Sequence, residues 1–234
     1  TLMEKGLWPD AVIRWKIRRN LARKLRFERR DGVEAQQEAI RAFIREMAGS
    51  PLALHTAEAN TQHYEVPTAF FQLCLGPRLK YSGAWWPPGV DTLAAAEEAM
   101  LALSAERAEL ADGQEVLELG CGWGSLTLWM AARYPASRIL AVSNSATQRD
   151  YITGEAARRG LGNVEVLTRD MLDFDTPRRF DRVVSVEMIE HMRNYPELMR
   201  RIAGWLRPGG KLFVHIFTPL HHAHPSLLEA DDDW

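Results

Sequence analysis

Residues 117–124 read Leu-Glu-Leu-Gly-Cys-Gly-Trp-Gly and lie between a short apolar segment and a helical pattern. Glycines allow a tight turn and let a ligand approach the backbone closely. The first turn of the following helix presents N–H groups that have no partner within the helix. The spacing is Gly-x-Gly-x-Gly, whereas the dinucleotide-binding pattern requires a further glycine where this chain has Ser125. The stretch predicts a ligand-binding turn, with a plain strand–helix turn as the alternative.

From residue 114 onward, strand and helix patterns alternate on both sides of this turn. An alternating order of this kind predicts a mostly parallel sheet with helices on both faces, a Rossmann-like α/β fold. The predicted strands are 115–119, 138–143, 164–168, 180–186 and 211–217, and the predicted helices are 125–134, 146–160 and 195–206. Ligands bind such sheets at the carboxyl ends of the strands. The ligand-binding and catalytic residues should therefore lie at 120–124, 143–148, 169–172 and 187–191.

The N-terminal part has a different character. Residues 7–48 show a helical pattern, and nine Lys or Arg with one acid, Glu28, fall between Arg14 and Arg30. Residues 52–90 are irregular and rich in aromatics, and 91–110 return to a helical pattern that Asp91 would cap. We therefore expect a helical and aromatic extension over 1–90 and the main domain over 91–234, continuing beyond Trp234.

Composition narrows the class of protein. Hydrophobic residues make up 46% and charged residues 26%, which is typical of a soluble globular protein, and the net charge of −2 argues against a nucleic-acid partner. Two cysteines, Cys74 and Cys121, do not form a disulfide framework, so a reducing, cytoplasmic location is predicted. The chain shows neither a signal-peptide pattern nor an apolar run approaching membrane-spanning length.

Two further strand ends carry polar side chains. The second strand ends in Ser143-Asn144-Ser145, with Gln148 one turn later, and the third is followed by Asp170 and Met171. An acid next to an apolar residue suits an adenine pocket, since it offers one hydrogen-bond acceptor and one apolar wall. The alternative is that Asp170 is a cap or turn residue.

The fourth strand is followed by Glu187, Glu190 and His191, which a single helical turn would place on one face. Two carboxylates near an imidazole raise its pKa and bind a cation. A protonated amine needs a group that binds its positive charge, and it needs a base that removes its proton before the nitrogen can attack. The alternatives are a solvated helix start and a metal site. We predict no metal, because no second ligand cluster has matching spacing, and we interpret His215, His221, His222 and His224 as loop polarity.

Longer strings resemble the plant coclaurine N-methyltransferases and, more distantly, the cyclopropane fatty acid synthases. The glycine turn itself resembles the signature of class I S-adenosylmethionine (SAM)-dependent methyltransferases. The strings are Gln62–Pro67, Leu79–Ser82, Leu119–Leu126, Ser143–Gln148, Glu187–Met192 and Phe213–His215. The resemblance implies a class I methyltransferase fold and SAM as cofactor, with transfer of its methyl group to a small, aromatic or benzylisoquinoline-like amine.

The resemblance also implies roles for individual residues. The predicted SAM-binding residues are Tyr81 and Ser82, Gly120 and Gly122 at the methionine part, Asn144 and Gln148 at the ribose, and Asp170 and Met171 at the adenine. The predicted catalytic cluster is Glu187, Glu190 and His191, and the predicted substrate-facing pair is Tyr64 and Glu65.

Two other functions stay open at the level of sequence. Methyl transfer to an unsaturated phospholipid acyl chain is one, and the basic segment 12–30 would then lie on an anionic membrane. Cyclopropane synthases, however, carry a bicarbonate-holding cysteine where this chain has Gly83. The other is a SAM-binding protein without turnover, which the acidic cluster argues against.

Overall fold

The computed structural model describes residues 6, 8–28, 32–53 and 67–218. The described residues divide into two compact units, one within residues 6–47 and the other within residues 48–218. In the first unit the helical pattern resolves into α1 (Asp10–Glu28) and α2 (Gly32–Ala48). Asp10 in the first turn of α1 accepts a hydrogen bond from Arg14 at 2.7 Å, which suits the positive end of the helix dipole. No helix among the described residues combines the length and apolar character needed to cross a bilayer.

The second unit is built on a five-stranded parallel sheet. Its strands are β1 (Glu115–Leu119), β2 (Arg138–Ser143), β3 (Val164–Thr168), β4 (Phe180–Val186) and β5 (Leu206–His215). The strand order is β3-β2-β1-β4-β5, and all neighbouring pairs are parallel. The chain order reverses between β1 and β4, and a crevice forms at such a switch point, at the carboxyl ends of the strands.

Helices cover both faces of the sheet, as predicted. The helices of this unit are α3 (Thr68–Cys74), α4 (Leu93–Arg107), α5 (Ser125–Arg133), α6 (Ala146–Arg158) and α7 (Tyr195–Trp205). Alternate residues of β1 face opposite layers: Leu117 packs in one core cluster with Trp205 of α7, and Val116 packs in another with Leu101 of α4 and Trp129 of α5. A sheet buried on both faces explains the near-continuous apolar strands.

Three local expectations were wrong. Residues 208–210 do not form a turn before the last strand, because β5 begins at Leu206. Leu206 pairs with Phe180 and Lys211 pairs with Arg182, so the intervening residues form an irregularity within β5. The helix cap before α4 is not Asp91: the hydroxyl of Thr92 accepts the hydrogen bond from the Ala95 N–H, at 3.3 Å. The irregular aromatic segment also contains the short helix α3.

Candidate active site

The glycine loop follows β1 and opens α5, at the predicted place. Gly120 and Gly122 have positive φ angles of 78° and 51°. A Cβ atom on Gly120 would lie 2.6 Å from Cβ of Met188, and one on Gly122 would lie 3.1 Å from Cε1 of Tyr81. The N–H of Gly120 also donates to the Val142 carbonyl of β2 at 3.0 Å. Conformation and close approach both require glycine here, so the bare backbone forms part of the site.

The loop forms one wall of a cleft that is open to solvent. Four predicted SAM-binding residues line it together: Tyr81, Ser82, Gly120 and Gly122. Glu187 lines the same cleft, which brings the predicted catalytic segment to the glycine loop. The hydroxyl of Ser125, at the start of α5, is buried in this wall and has no hydrogen-bond partner among the described residues.

A buried acid beneath the loop belongs to the same wall. Glu118 of β1 is 3% exposed, and its carboxylate accepts a hydrogen bond from the Thr127 hydroxyl at 2.5 Å. Loss of hydration on burial raises the pKa of Glu118 to about 8, against the opposing effect of the Thr127 hydrogen bond. Near neutral pH this side chain is largely a neutral carboxylic acid.

The segment 79–82 is held against α4 by a second buried acid. Glu97 accepts hydrogen bonds from the backbone N–H groups of Arg78 at 3.0 Å and Lys80 at 3.3 Å. The Lys80 ammonium then donates to the Ser82 hydroxyl at 2.7 Å. Leu79 adopts a positive φ of 49°, which turns the chain into the cleft. Tyr81 and Ser82 were predicted here from sequence but Lys80 was missed, because nothing in a lone lysine signals burial.

Asn144 and Gln148, the two residues predicted to bind the ribose, lie at the carboxyl end of β2 and differ in their exposure to solvent. Asn144 is exposed, whereas Gln148 is buried at 2% exposure. Gln148 Oε1 accepts a hydrogen bond from the Ser143 hydroxyl at 2.7 Å. Gln148 Nε2 is buried without a partner among the described residues. An unpaired buried amide is costly, so this donor is a candidate for a ligand contact.

The predicted adenine pair follows β3. Asp170 Oδ1 accepts a hydrogen bond from the Leu172 N–H at 2.9 Å, and the Asp170 carbonyl accepts one from the Phe174 N–H at 2.9 Å. Met171 is buried in the core cluster on the α7 side of the sheet. The alternative role of Asp170 as a turn residue is thus present, and its adenine role stays a prediction.

The two acids after β4 come together. Glu187 has a positive φ of 52°, a conformation that a non-glycine residue rarely adopts and that concentrates at functional sites. Its N–H donates to the His215 carbonyl of β5 at 2.8 Å. Burial, a hydrogen bond with Glu187 and the charge of Glu187 together raise the pKa of Glu190 to about 7. Glu190 Oε2 is buried without a partner among the described residues.

A second histidine, His215, lies beside these acids. A 3₁₀ turn spans only Ile189–His191, so the expected single helical turn over 187–191 is wrong. His191 is exposed, and its predicted catalytic role stays a prediction. His215 Nε2 lies 3.6 Å from Glu187 Oε1, and burial lowers the pKa of His215, with Glu187 opposing that effect. Its position at the end of β5, next to β4, was the available signal.

Several predicted residues lie outside the described ones. They are Tyr64, Glu65, His221, His222 and His224. Among the described residues, no group of three or more His, Cys, Asp or Glu side chains could hold a metal ion.

Known proteins share both the sequence and the fold of this chain. A family model described as mycolic acid cyclopropane synthetase matches residues 53–234. The chain is 39% identical over 233 residues to (S)-coclaurine N-methyltransferase of Thalictrum flavum subsp. glaucum, covering 99% of this chain and 64% of that protein. It is 35% identical over 156 residues to the cyclopropane-fatty-acyl-phospholipid synthase of Escherichia coli K12, covering 66% of this chain and 39% of that one. The chain thus spans less than two thirds of these relatives.

One solved structure matches along the whole chain. It is the crystal structure of a coclaurine N-methyltransferase bound to N-methylheliamine and SAH. The TM-score is 0.93 at 38% sequence identity, and the match covers 100% of this chain and 67% of that one.

Proposed function

The chain belongs to the mycolic acid cyclopropane synthetase family, and from that premise we propose that it transfers the methyl group of SAM to the nitrogen of a small amine. The class I methyltransferase fold and the resemblance to coclaurine N-methyltransferases, both expected from sequence, are confirmed. The observation that carries the proposal is the carboxylate pair Glu187–Glu190, because Glu187 lines the glycine-loop cleft and its charge helps to raise the pKa of neighbouring Glu190.

The residues of the cleft fit SAM. The glycine backbone leaves room that a side chain would fill, and Ser125 Oγ in the cleft wall is a buried polar atom in need of a partner. Outside the lining of the cleft, at the carboxyl end of β2, Gln148 Nε2 is a second such atom. When bound, SAM supplies an electrophilic methyl group on a positively charged sulfur. We propose that the residues that hold it are Gly120 and Gly122 at the methionine part, Tyr81 and Ser82 beside them, Asn144 and Gln148 at the ribose, and Asp170 and Met171 at the adenine.

The Glu187–Glu190 pair removes the proton from the amine that accepts the methyl group. An amine reaches neutral solution largely as an ammonium, which has no lone pair for attack. A carboxylate of the Glu187–Glu190 pair accepts that proton, and Glu190, with a pKa of about 7, changes charge in the physiological range. We propose that His191, together with Tyr64 and Glu65, orients the amine. Most of the rate acceleration then comes from orientation and electrostatics.

Exposed aromatic side chains support an amine with an apolar or aromatic body. Trp85 and Trp86 follow the segment 79–82, and both remain exposed, as does Phe70 of α3. Aromatic faces attract cations and stack on flat apolar rings. The solved relative was crystallised with N-methylheliamine, which is an N-methylated compound by name.

The second candidate is methyl transfer to a phospholipid acyl chain. It is favoured by the family model and by the exposed apolar side chains of α1, which include Trp15, Leu21 and Leu25 among basic residues. A helix of this composition can lie on an anionic membrane. Binding to vesicles with and without anionic lipid tests this contact, and we expect binding to be lost at high salt if it is electrostatic.

The decisive experiment supplies methyl-labelled SAM with benzylisoquinoline and aralkyl amines in one reaction and unsaturated phospholipid vesicles in another. We expect label on an amine, and we expect Glu190→Gln to lower the rate of labelling by about 10² to 10⁴ while SAM still binds. The exposed Glu106→Gln on α4 is the matched control and should keep activity. Label in the lipid fraction alone would overturn the amine proposal.

A further inference from the structure

The turn that carries Glu190 depends on its neighbours for its position. This turn, residues 187–192, contains a single 3₁₀ turn, Ile189–His191. One turn of helix is too short to be stable by itself. Glu187, at its start, also has a positive φ of 52°, and such a backbone persists only where the surrounding structure fixes it. The place of Glu190 is therefore set by the groups that hold the two ends of the turn.

The end of the turn pairs with segment 50–53, which is distant in the chain and lies outside the five-stranded sheet. Met192 forms an antiparallel bridge with Ala53, and the N–H of Arg193 donates to the Leu52 carbonyl at 2.8 Å. Leu52 and Ala53 are buried, and they pack in the same core cluster as Met192. Segment 50–53 is therefore a fixed support against which the turn rests.

Asn194 joins this support to α7. Its Nδ2 donates to the Ser50 carbonyl at 2.9 Å, and its Oδ1 accepts a hydrogen bond from the Glu197 N–H at 3.1 Å, which caps α7. The two contacts use different atoms of one amide. Serine at this position would keep a capping oxygen but lack the amide nitrogen, so substitution can separate the two contacts.

We propose that Asn194 is a positioning residue: it holds segment 50–53 against the turn 187–192 and thereby keeps Glu190 in place for proton transfer. The inference rests on the proposed function, in which the acidic pair deprotonates the amine. In that step the N–H bond of the ammonium breaks, an O–H bond forms on a carboxylate of the pair, and the bonding electrons stay on nitrogen as its lone pair. Proton transfer requires hydrogen-bond distance, so a small displacement of the turn lowers the rate strongly.

The first test measures hydrogen–deuterium exchange in Asn194→Ser. We expect the backbone amides of Met192 and Arg193 to exchange about threefold to tenfold faster than in wild type, because one hydrogen bond that holds the support is lost. Asn163→Ser is the matched control. The Asn163 amide also donates to a backbone carbonyl, that of Ala131 at 3.2 Å, but Asn163 precedes β3 and lies at the amino end of the sheet, away from the cleft. Asn163→Ser should leave exchange in the turn unchanged.

The second test separates turnover from SAM binding and from stability. Asn194→Ser should lower kcat for amine methylation about tenfold or more, while the Kd for SAM in calorimetry stays within about twofold of wild type. Asn163→Ser should lower the urea midpoint and keep the wild-type kcat. Asn194→Ala also loses the cap, so it should unfold at lower urea than Asn194→Ser with the same kcat.

Each outcome decides the inference. Unchanged exchange in Asn194→Ser would show that Asn194 does not hold the turn. Faster exchange with wild-type kcat would show that the contact is merely structural. If Asn194→Ser does not fold, Asn194→Asp takes its place in both measurements, because aspartate also caps a helix, is favoured at a helix N-terminus and lacks the donor. The exchange readout is independent of turnover. Failure to methylate any amine therefore counts against the proposed function, while exchange still decides whether Asn194 holds the turn.

Discussion

Replacing buried Glu118 by Gln should change how the stability of the protein depends on pH. The pKa of this carboxyl is raised from about 4.5 to about 8 by burial. Between these pH values the unfolded chain has released the proton, whereas the folded protein retains it. The contribution of Glu118 to stability is therefore fully present below about pH 4.5 and is lost as the pH rises to about 8.

The structure sets the size of the effect. About 3.5 pH units at about 1.4 kcal/mol each give a loss of about 5 kcal/mol across this window. That is comparable with the whole free energy of unfolding of many domains, so the effect is measurable. Glutamine has nearly the same shape, keeps an oxygen to accept the Thr127 hydrogen bond, and does not titrate.

The assay is urea unfolding of wild type and Glu118→Gln at several values between about pH 5 and pH 8.5. Wild type should lose stability relative to the variant as the pH rises, and the exposed Glu106→Gln should follow wild type. All other titrating groups are shared, so the difference between the curves isolates Glu118. Parallel curves for wild type and Glu118→Gln would refute the reasoning and mean that Glu118 is ionised throughout.

Three further outcomes are expected. If Glu190 must be ionised, kcat/KM of the wild type should fall about tenfold per pH unit below about pH 7. Glu190→Gln should lower kcat/KM at about pH 8 by about 10² to 10⁴ and should flatten the acidic limb of the pH profile, and steady-state assays measure both effects. Gly120→Ala should weaken SAM binding in calorimetry and destabilise the protein by about 1–3 kcal/mol. The new methyl group would clash with Met188, and alanine would be strained at the positive φ of this position. Wild-type affinity for SAM would contradict the assignment of the cleft. Phe174→Ala, deep in the core beside Trp205, should cost about 3–5 kcal/mol in thermal or urea unfolding without changing the pH profile of turnover.

Local patterns were sufficient for the sheet and for the glycine loop. The predicted bounds of β1 to β4 match the structure, because each strand is a short apolar run closed by glycine or polar residues. The same rule failed at β5, where Pro208 and two glycines predicted a turn and the strand instead absorbs them as an irregularity. Strand pairing with β4 outweighs the local turn preference there.

The site divides along a similar line. Sequence alone determined that Glu187 and Glu190 lie at the carboxyl edge of the sheet, since the end of a strand and its topology follow from the periodicity of the chain. Only the tertiary structure decided that Glu118 is buried, that His215 lies beside Glu187, and that Lys80 lines the same cleft as Glu187. Burial and charge–charge effects depend on distances between atoms that are far apart in the chain, and no local pattern of residues carries that information.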